Sequence, residues 1–296
     1  MATKNSLPAV VITGCSSGHG EALAKLFVKN GYPTYASARK LESIRHLKKL
    51  GCETLEIDVM NHLSIREAVR TIEQTHGSVG ICVNNAAIGV MAAMETVPIL
   101  EVKRIYETNV FGVLAMTQAV LPGMRRAGSG RIVNIGSSGG EFTTPGGGVY
   151  QASKYALTSM NDAMRAELEP FGVYVTMIQP GAISSKFVQN GAVLGYDKKG
   201  PYQTLMAGIH RVATEAVKES APGTWTPDQV ARVTFRAATR RIPKARYRPG
   251  FVSKALIYSR LMLPYRMWDS MFRKNLMKQG EIFLKGRGSL PTYMPS

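Results

Sequence analysis

The sequence offers little that would place it in a membrane, a disulfide scaffold or a metal site. No run of about 18 consecutive apolar residues occurs, so we expect no membrane-spanning helix. The segment from Met1 to Leu7 lacks the apolar region of a secretory signal, which favours a cytoplasmic location. The three cysteines show no Cys-x-x-Cys spacing, and the five histidines show no His-Glu-x-x-His spacing. We therefore expect buried reduced thiols and no structural metal.

The positive charge of the chain is concentrated near its C-terminus. With 296 residues, 45% of them hydrophobic and 19% charged, the composition is that of a folded globular protein. Residues 232–287 contain fifteen Lys or Arg against two acids, so this segment holds a net +13 of the total +17. The rest of the chain is only weakly basic. The strong basicity is therefore a property of one C-terminal segment.

Short apolar or β-branched runs alternate with helix-like stretches along the first 180 residues. This alternation predicts a parallel sheet whose crossovers are helices. The runs are continuously apolar, as expected when helices cover both faces of the sheet. We therefore predict an α/β fold with a doubly wound parallel sheet. The predicted strands are Val10–Ile12, Thr34–Ala36, Thr54–Ile57, Ile81–Val83, Arg131–Ile135 and Tyr174–Ile178.

After residue 180, glycine and proline residues separate the chain into a lid-like segment, a last predicted strand and C-terminal helices. Residues 184–227 mix Gly, Pro and apolar residues, and we interpret them as a lid over a site. A last strand is predicted at Arg246–Arg248, and the apolar and basic helices that follow are broken at Pro264. We thus expect one main domain at 1–250 and a basic amphipathic extension at 251–296.

A glycine-rich turn, Thr13–Gly20, lies between the first predicted strand and a predicted helix at Glu21–Asn30. Gly14 and Gly18 permit backbone angles and close approaches that a Cβ would block, and Gly20 lets the helix point its N-terminus at a pyrophosphate. The spacing alone also fits an ordinary strand–helix turn. Its position after the first strand favours a dinucleotide site. The other residues that we assign to this cofactor site are Ser16, Ser17 and His19.

Arg39 follows the second predicted strand, where a ribose-reading residue is expected. No Asp or Glu occurs between Ala36 and Lys40. A carboxylate there would accept a hydrogen bond from the ribose 2′-OH of NAD, whereas a guanidinium binds the 2′-phosphate of NADP. Arg39 therefore predicts NADP(H), although an isolated arginine is also compatible with a solvated surface position.

Tyr150 and Lys154 are four residues apart at the start of a predicted helix and so share one face. A free tyrosine has a pKa near 10, and about three units of lowering would bring it to neutrality. The ammonium of Lys154, a cationic nicotinamide and a helix N-terminus all act in that direction. In isolation, such a pair is also common on helix surfaces.

Several motifs in a fixed order make the sequence resemble the short-chain dehydrogenase/reductase family over about residues 8–185. The resemblance implies a Rossmann-type domain that transfers a hydride between NADP(H) and a carbonyl/alcohol pair, as in steroid and retinol dehydrogenases. A non-catalytic NADP(H)-binding regulator on the same fold is the alternative. The motifs are the glycine turn, Asn84–Ala87 after the fourth strand, Asn109, Ser137, the Tyr150/Lys154 pair, and Pro180 with Gly181.

The resemblance also implies a role for each catalytic residue. Ser137 would donate a hydrogen bond to the substrate carbonyl oxygen, and Tyr150 would protonate the nascent alkoxide. Lys154 would lower the pKa of the tyrosine and hold the nicotinamide ribose. Asn109 would hold a water that feeds protons to the lysine.

Further cofactor contacts follow from the same resemblance. Asp58 would contact the adenine and Ser185 the carboxamide. The remaining expected contacts are Val59, Asn85, Ala86, Pro180, Gly181 and Ile183. Two residues depart from the family pattern. Ala87 replaces a usual glycine, and His19 replaces a usually apolar residue, where it would lie near a phosphate or face solvent.

The lid predicts a substrate of apolar character, such as a steroid-, retinoid- or lipid-like ketone or aldehyde. Ordinary packing of the lid explains the same composition. Since the helix bearing Tyr150 and Lys154 often packs against a symmetry mate in the resembled family, we also expect a homodimer or homotetramer. The apolar lid residues are Phe187, Val188, Val193, Leu194, Tyr196, Leu205, Met206 and Trp225.

Two interpretations remain for the basic extension. Apolar residues recur at helical spacing among lysines and arginines, which predicts docking on an anionic membrane surface. The same pattern fits helices that cover the substrate pocket or a subunit edge. No nucleic-acid motif is recognisable, so we expect no nucleic-acid partner. The apolar residues of this stripe are Val252, Ala255, Leu256, Leu263, Trp268, Met271, Phe272 and Leu276.

Overall fold

A seven-stranded, fully parallel sheet forms the centre of the protein. The computed structural model describes residues 7–185, 192–193 and 200–286. The strands of the central sheet, in spatial order, are β3 (Glu53–Glu56), β2 (Thr34–Ala38), β1 (Val10–Ile12), β4 (Ile81–Asn84), β6 (Gly130–Ile135), β7 (Val173–Ile178) and β9 (Arg246–Tyr247). Two short strands, β5 (Val90–Met91) and β8 (Ala192–Val193), pair separately in parallel.

Helices connect the strands and form the C-terminal region. They are α1 (Gly18–Lys29), α2 (Arg45–Lys48), α3 (His62–His76), α4 (Ile99–Tyr106), α5 (Gly112–Ala127), α6 (Gly148–Leu168), α7 (Gln203–Ala216), α8 (Pro227–Thr239), α9 (Phe251–Met262) and α10 (Tyr265–Lys285). A π-helical segment, Glu107–Phe111, joins α4 to α5. Short 3₁₀ turns lie at Leu41–Ile44, Met94–Thr96, Ser138–Gly140 and Glu169–Phe171.

Both faces of the sheet are buried under helices. On one face Phe27 of α1 and Val230 of α8 belong to a core cluster, and on the other Ile72 of α3 and Met116 of α5 do. This double coverage explains why the strands are continuously apolar. The predicted doubly wound sheet is confirmed.

The predicted strand positions are confirmed to within about two residues. β2 extends to Ala38, and the first helix begins at Gly18 rather than Glu21 because the last residues of the glycine turn are already helical. The predicted last strand is confirmed as a short strand that pairs in parallel with β7, where Ile178 aligns with Tyr247. The predicted break at Pro264 separates α9 from α10.

The strand order creates a crevice between β1 and β4. From β1 the chain continues outward to β2 and β3 and then returns to β4 on the other side of β1. Loops that leave the two neighbouring strands therefore diverge at their carboxyl ends. Ligands of doubly wound sheets bind at this switch point.

The C-terminal helices pack closely against the rest of the protein. Trp268 is 2% exposed, packs against Phe142 and donates its indole N–H to the carbonyl oxygen of Thr143 at 3.0 Å. Gly208 of α7 lies so close to α10 that a Cβ would overlap the Leu276 carbonyl. In the described part of the chain, no helix is both long and apolar enough to cross a membrane.

This packing corrects the predicted membrane-facing stripe. Trp268 and Leu276 are buried, and Leu256, Leu263 and Phe272 pack partly buried around Trp268 or its neighbours. Most of the stripe therefore faces protein, and a role of these helices in covering the substrate pocket stays a prediction. The division of the chain at residue 250 stays a prediction.

Candidate active site

The glycine turn after β1 is hydrogen-bonded to the turn after β4. The hydroxyl of Thr13 accepts hydrogen bonds from the backbone N–H groups of Asn85 and Ala86, each at 3.0 Å. The amide nitrogen of Asn85 donates to the carbonyl oxygens of Thr13 and Gly14 at 2.9 and 3.0 Å. Asn85 and Ala86 were predicted to contact the cofactor. In the structure these groups bind the turn, which supports a positioning role, and their contact with the cofactor stays a prediction.

The geometry of the turn suits a pyrophosphate. Gly14 and Gly18 have φ angles of 73° and 62°, which disfavour other residues. A Cβ on Gly14 would lie 2.8 Å from the Cα of Ala86. Ser17, at the start of α1, makes no side-chain cap, and Ser16 is exposed at the rim. The first N–H groups of α1 are thus left without a side-chain cap, as an anion at a helix N-terminus requires.

His19 lies inside the protein. Its Nδ1 is 2.8 Å from Oδ1 of Asn85, and its Nε2 is 3.0 Å from the hydroxyl of Thr234 on α8. Burial lowers the pKa of His19 to about 4. The prediction that this side chain faces solvent is therefore wrong, whereas its closeness to a cofactor phosphate stays a prediction. Thr234 was missed because it lies 215 residues away and nothing in its local pattern distinguishes it.

The adenosine end of the crevice contains Arg39 and Asp58. Arg39 is exposed directly after β2, and no Asp or Glu stands between Ala36 and Lys40. A side-chain oxygen of Asp58 accepts from the backbone N–H of Met60 at 3.0 Å, whereas Asn61 caps α3. Val59 is buried against Gly112. Asp58 is half-buried. It is not the cap of α3, because Asn61 has that role.

Ser137, Tyr150 and Lys154 converge beyond the carboxyl end of β6. Nζ of Lys154 donates to the carbonyl oxygen of Ile135 at 2.9 Å and lies 5.8 Å from the centre of the Tyr150 ring. The Ser137 side chain is hydrogen-bonded to Tyr150 and also accepts from the backbone N–H of Gly139 at 3.1 Å. Helix α6 places Tyr150 and Lys154 beside Ser137 because it begins at Gly148 and crosses the carboxyl end of β6.

Burial dominates the ionisation of this cluster. It raises the pKa of Tyr150 to about 12, and the hydrogen bond with Ser137 acts in the opposite direction. Burial also lowers the pKa of Lys154 to about 8. The sequence predicted a lowered tyrosine pKa. That prediction included a bound cationic nicotinamide. Among the protein groups alone, the loss of solvation of the phenolate outweighs their attraction, and the lowering in the cofactor-bound site stays a prediction.

Asn109 is fully buried in the π-helical segment. Its Oδ1 accepts from the backbone N–H of Ile88 at 2.9 Å, and its Nδ2 donates to the carbonyl oxygen of Ile88 and the hydroxyl of Ser153 at 2.8 and 3.0 Å. Both amide hydrogens are thus used by protein. A water-holding role would have to use the backbone of Asn109 or the second lone pair of Oδ1.

The loop after β7 reaches back to the glycine turn. The carbonyl oxygen of Pro180 accepts from the N–H of Ser138 at 2.9 Å, and Ile183 bridges to Trp225. A Cβ on Gly18 would lie 3.4 Å from the Cβ of Ser185. Gly181 packs against Ser253 of α9. Of these predicted cofactor contacts, Ser185 therefore lies beside the glycine turn.

Part of the predicted lid lies outside the described residues. This applies to Phe187, Val188, Leu194 and Tyr196, and only the backbone of Val193 is described. Met206 is buried in a cluster with Val90 and Val149, so core packing explains it. Leu205 and Trp225 are half-buried.

A cavity of about 480 Å³ lies between the loop before α6 and the C-terminal helices. Pro145, five residues before Tyr150, and Leu205 of α7 supply its apolar lining. None of the four residues on its polar side was assigned to a site from the sequence, because three of them counted only as charges and the serine carried no signal. They are Arg266, Asp269, Ser270 and Arg273 of α10.

The cysteines are buried and unpaired, as predicted. Burial raises the pKa of Cys15 and Cys82 to about 12 and that of Cys52 to about 11, so these thiols are poor nucleophiles. Among the described residues, no group of three or more His, Cys, Asp or Glu is arranged to hold a metal ion.

Comparison with known proteins points to a family of oxidoreductases. The family model described as short chain dehydrogenase matches residues 8–192. The chain is 38% identical to a 3-ketodihydrosphingosine reductase of Bacteroides thetaiotaomicron over 182 residues, which cover 61% of this chain and 66% of that protein. It is 31% identical to an NADPH-dependent 3-dehydrocapnine reductase of Ornithobacterium rhinotracheale over 280 residues, which cover 90% of this chain and 97% of that one.

The fold is similar to that of a solved short-chain dehydrogenase from Streptomyces avermitilis. The two share 26% sequence identity and superpose with a TM-score of 0.77. The superposition covers 96% of this chain and 100% of the other. The likeness therefore includes both the sheet and the helices that follow it.

Proposed function

Because the chain belongs to the short-chain dehydrogenase family, we propose that it transfers a hydride between NADP(H) and a carbonyl/alcohol pair, with Tyr150 moving the proton. The observation that supports this most is the convergence of Ser137, Tyr150 and Lys154 beyond β6, beside the glycine turn. A regulator without turnover would have no need of all three groups.

Each of the three side chains has a separate task. Bound NADPH supplies the hydride to the carbonyl carbon. The Ser137 hydroxyl donates a hydrogen bond to the oxygen on which negative charge develops. Tyr150 then protonates that oxygen, and a phenol whose pKa is about 12 holds its proton at neutral pH. The Lys154 ammonium, fixed by the Ile135 carbonyl, binds the ribose hydroxyls.

We assign NADP(H) rather than NAD(H) from the adenosine end of the crevice. Arg39 is exposed after β2, and no Asp or Glu stands between Ala36 and Lys40. A guanidinium at this position suits a 2′-phosphate, whereas the carboxylate that would hold a 2′-OH is missing from this turn. One relative of the chain is named as NADPH-dependent.

The proposed substrate is an apolar ketone or aldehyde of steroid, retinoid or other lipid-like type. The names of two relatives, which specify 3-ketodihydrosphingosine and 3-dehydrocapnine, support a 3-oxo compound within that class.

Turnover of a carbonyl panel tests this function. NADPH consumption is measured with steroid, retinoid, long-chain 3-oxo and short aliphatic carbonyls, using wild type and the Tyr150→Phe variant. We expect tyrosine-dependent consumption with the apolar long-chain members. Tight NADPH binding without consumption across the panel would instead support the regulatory alternative.

The protein is also proposed to be a homodimer or homotetramer that uses the outer side of α6. Tyr155 on α6 and Phe171 just beyond it are large, exposed apolar side chains. Burial of such residues at a symmetric contact is favourable. Light scattering over micromolar concentrations measures the mass, and a monomer throughout would contradict this assembly.

A further inference from the structure

Large apolar side chains are exposed around the break between α9 and α10. Phe251 is 84% exposed and Met262 83%. Phe251, Tyr258 and Met262 are spaced by seven and four residues, so they lie on one face of α9. We call the whole set the junction surface. It consists of Phe251, Tyr258, Leu261, Met262, Tyr265 and Met267, each more than half exposed.

The junction surface is not the stripe that the sequence pattern predicted. That stripe is mostly buried around Trp268, whereas these side chains lie on the outside of the same two helices. Arg260 connects the junction surface to the buried core beneath it. Its guanidinium lies 3.7 Å from the centre of the exposed Tyr265 ring and 6.0 Å from the centre of the buried Trp268 ring.

Basic residues accompany the junction surface. Lys254 and Arg266 are exposed, as are Arg273 and Lys274 further along α10. Within the described residues, none of the four has a carboxylate within ion-pair distance. An apolar surface with unpaired cations beside it matches the chemistry of an anionic lipid headgroup layer over acyl chains.

We propose that the junction surface docks the protein on an anionic membrane surface. The apolar side chains enter the boundary between headgroups and acyl chains, and Lys254, Arg266 and their neighbours lie among the headgroups. The net charge of +17 on the whole chain strengthens attraction to such a leaflet.

Docking would also orient the candidate active site. Trp268 binds the Thr143 carbonyl in the loop that leads to Tyr150, and Gly280 of α10 packs directly against Thr204 of α7. The loop and α7 are therefore fixed relative to the junction surface. If the proposed function holds, a lipid-like substrate could pass from the bilayer to the site without crossing bulk water. The docking itself does not depend on that function.

Co-sedimentation of the full-length protein with vesicles tests the proposal without any activity assay. Vesicles of phosphatidylcholine alone are compared with vesicles that also contain phosphatidylserine, at low and high salt. We expect binding to the anionic vesicles that falls with salt. No difference between the vesicle types would overturn the proposal.

The apolar contribution is tested by Leu261→Glu/Met262→Glu. The matched control is Ile99→Glu/Leu100→Glu on α4, where the side chains are 69% and 76% exposed. We expect at least about a tenfold loss of vesicle binding for the first variant and none for the control. Equal binding by both variants would contradict the proposal.

The charge contribution is tested by Lys254→Gln/Arg266→Gln against Lys48→Gln/Lys49→Gln, an exposed pair in and just after α2. Each cation beside an anionic leaflet contributes about fivefold to binding, so we expect about a 25-fold loss only in the first variant. Unchanged NADPH affinity shows that each variant is folded. A change in oligomer mass with vesicle binding intact would identify the surface as a contact between two copies and overturn the proposal.

Discussion

His19 and Asn85 form a buried hydrogen bond of 2.8 Å that connects α1 to the turn after β4. Both amide hydrogens of Asn85 are donated to the carbonyls of Thr13 and Gly14, so its oxygen must accept. Nδ1 of His19 is therefore the donor, and in the neutral ring Nε2 is the acceptor that faces Thr234. His19 thus positions Asn85, and Asn85 in turn binds the glycine turn.

Replacing His19 should weaken cofactor binding more than it slows chemistry. In His19→Leu the oxygen of Asn85 loses its donor, and a buried unsatisfied group costs about 1–3 kcal/mol. We expect the Kd for NADPH to rise about tenfold while kcat changes little. His19→Gln retains a side-chain N–H and should recover part of the affinity. An equal loss in kcat and affinity, with no rescue by glutamine, would indicate a general structural defect instead.

The same histidine should make stability depend on pH. Its pKa is about 4 in the folded protein, below the ordinary value of 6.5, so the folded state binds fewer protons. Its contribution to the free energy of unfolding is complete above pH 6.5 and is lost as the pH falls toward 4. Urea unfolding at several pH values measures this slope. A slope between pH 6.5 and 4 that is equally steep in His19→Leu would assign it to other groups.

The sequence predicts the features that local pattern determines. The strand positions, the glycine turn and the shared face of Tyr150 and Lys154 follow from periodicity and spacing over a few residues. The contact between His19 and Thr234 does not, because it joins segments 215 residues apart. Helical spacing grouped the apolar residues of the C-terminal stripe, of which Val252, Ala255 and Met271 are exposed and the others pack against protein. It could not tell that Trp268 faces Phe142 rather than a membrane, since that depends on what packs beside the helix.

Tyr150→Phe should reduce carbonyl reduction by about 10²–10⁴-fold, because it removes the transferable proton and keeps the ring. NADPH affinity should stay close to that of the wild type, as measured by fluorescence titration. Lys154→Met serves as a contrast, since it should lower both turnover and cofactor affinity. Near-normal turnover by purified Tyr150→Phe would show that another group moves the proton.

Arg39→Asp should weaken NADPH binding by about tenfold to a hundredfold, because hydrogen bonds to charged groups are worth about 1.5–3 kcal/mol. The new carboxylate also repels a 2′-phosphate. NADH lacks that phosphate, so its affinity should change little. Paired titrations with the two cofactors measure the ratio. A wild type that binds NADH more tightly than NADPH would contradict the assignment before any mutation is made.

Gly20→Ala should abolish most cofactor binding because its Cβ would overlap the carbonyl oxygen of Gly14 and the amide of Asn85. Overpacking of this kind costs about 1–3 kcal/mol, and here the strain falls on the turn itself. Gly128→Ala is the control, since a Cβ there has no heavy atom within 4 Å, although its φ of 61° is unfavourable. We expect the control to lose some stability and to keep its NADPH affinity. Loss of affinity in both variants would indicate a global effect.

Trp268→Ala should destabilise the whole protein rather than release its C-terminal helices alone. Trp268 packs with Phe142 and Ile257 and binds the Thr143 carbonyl, so α10 shares a core with the main domain. Truncation of a buried tryptophan costs about 3–5 kcal/mol. Denaturant unfolding followed by circular dichroism and by NADPH release should therefore show one transition, moved to lower denaturant. Met267→Ala, at a neighbouring exposed position, should leave the midpoint almost unchanged. A separate early transition in the tryptophan variant, with NADPH still bound, would instead show that residues 251–286 fold as an independent extension.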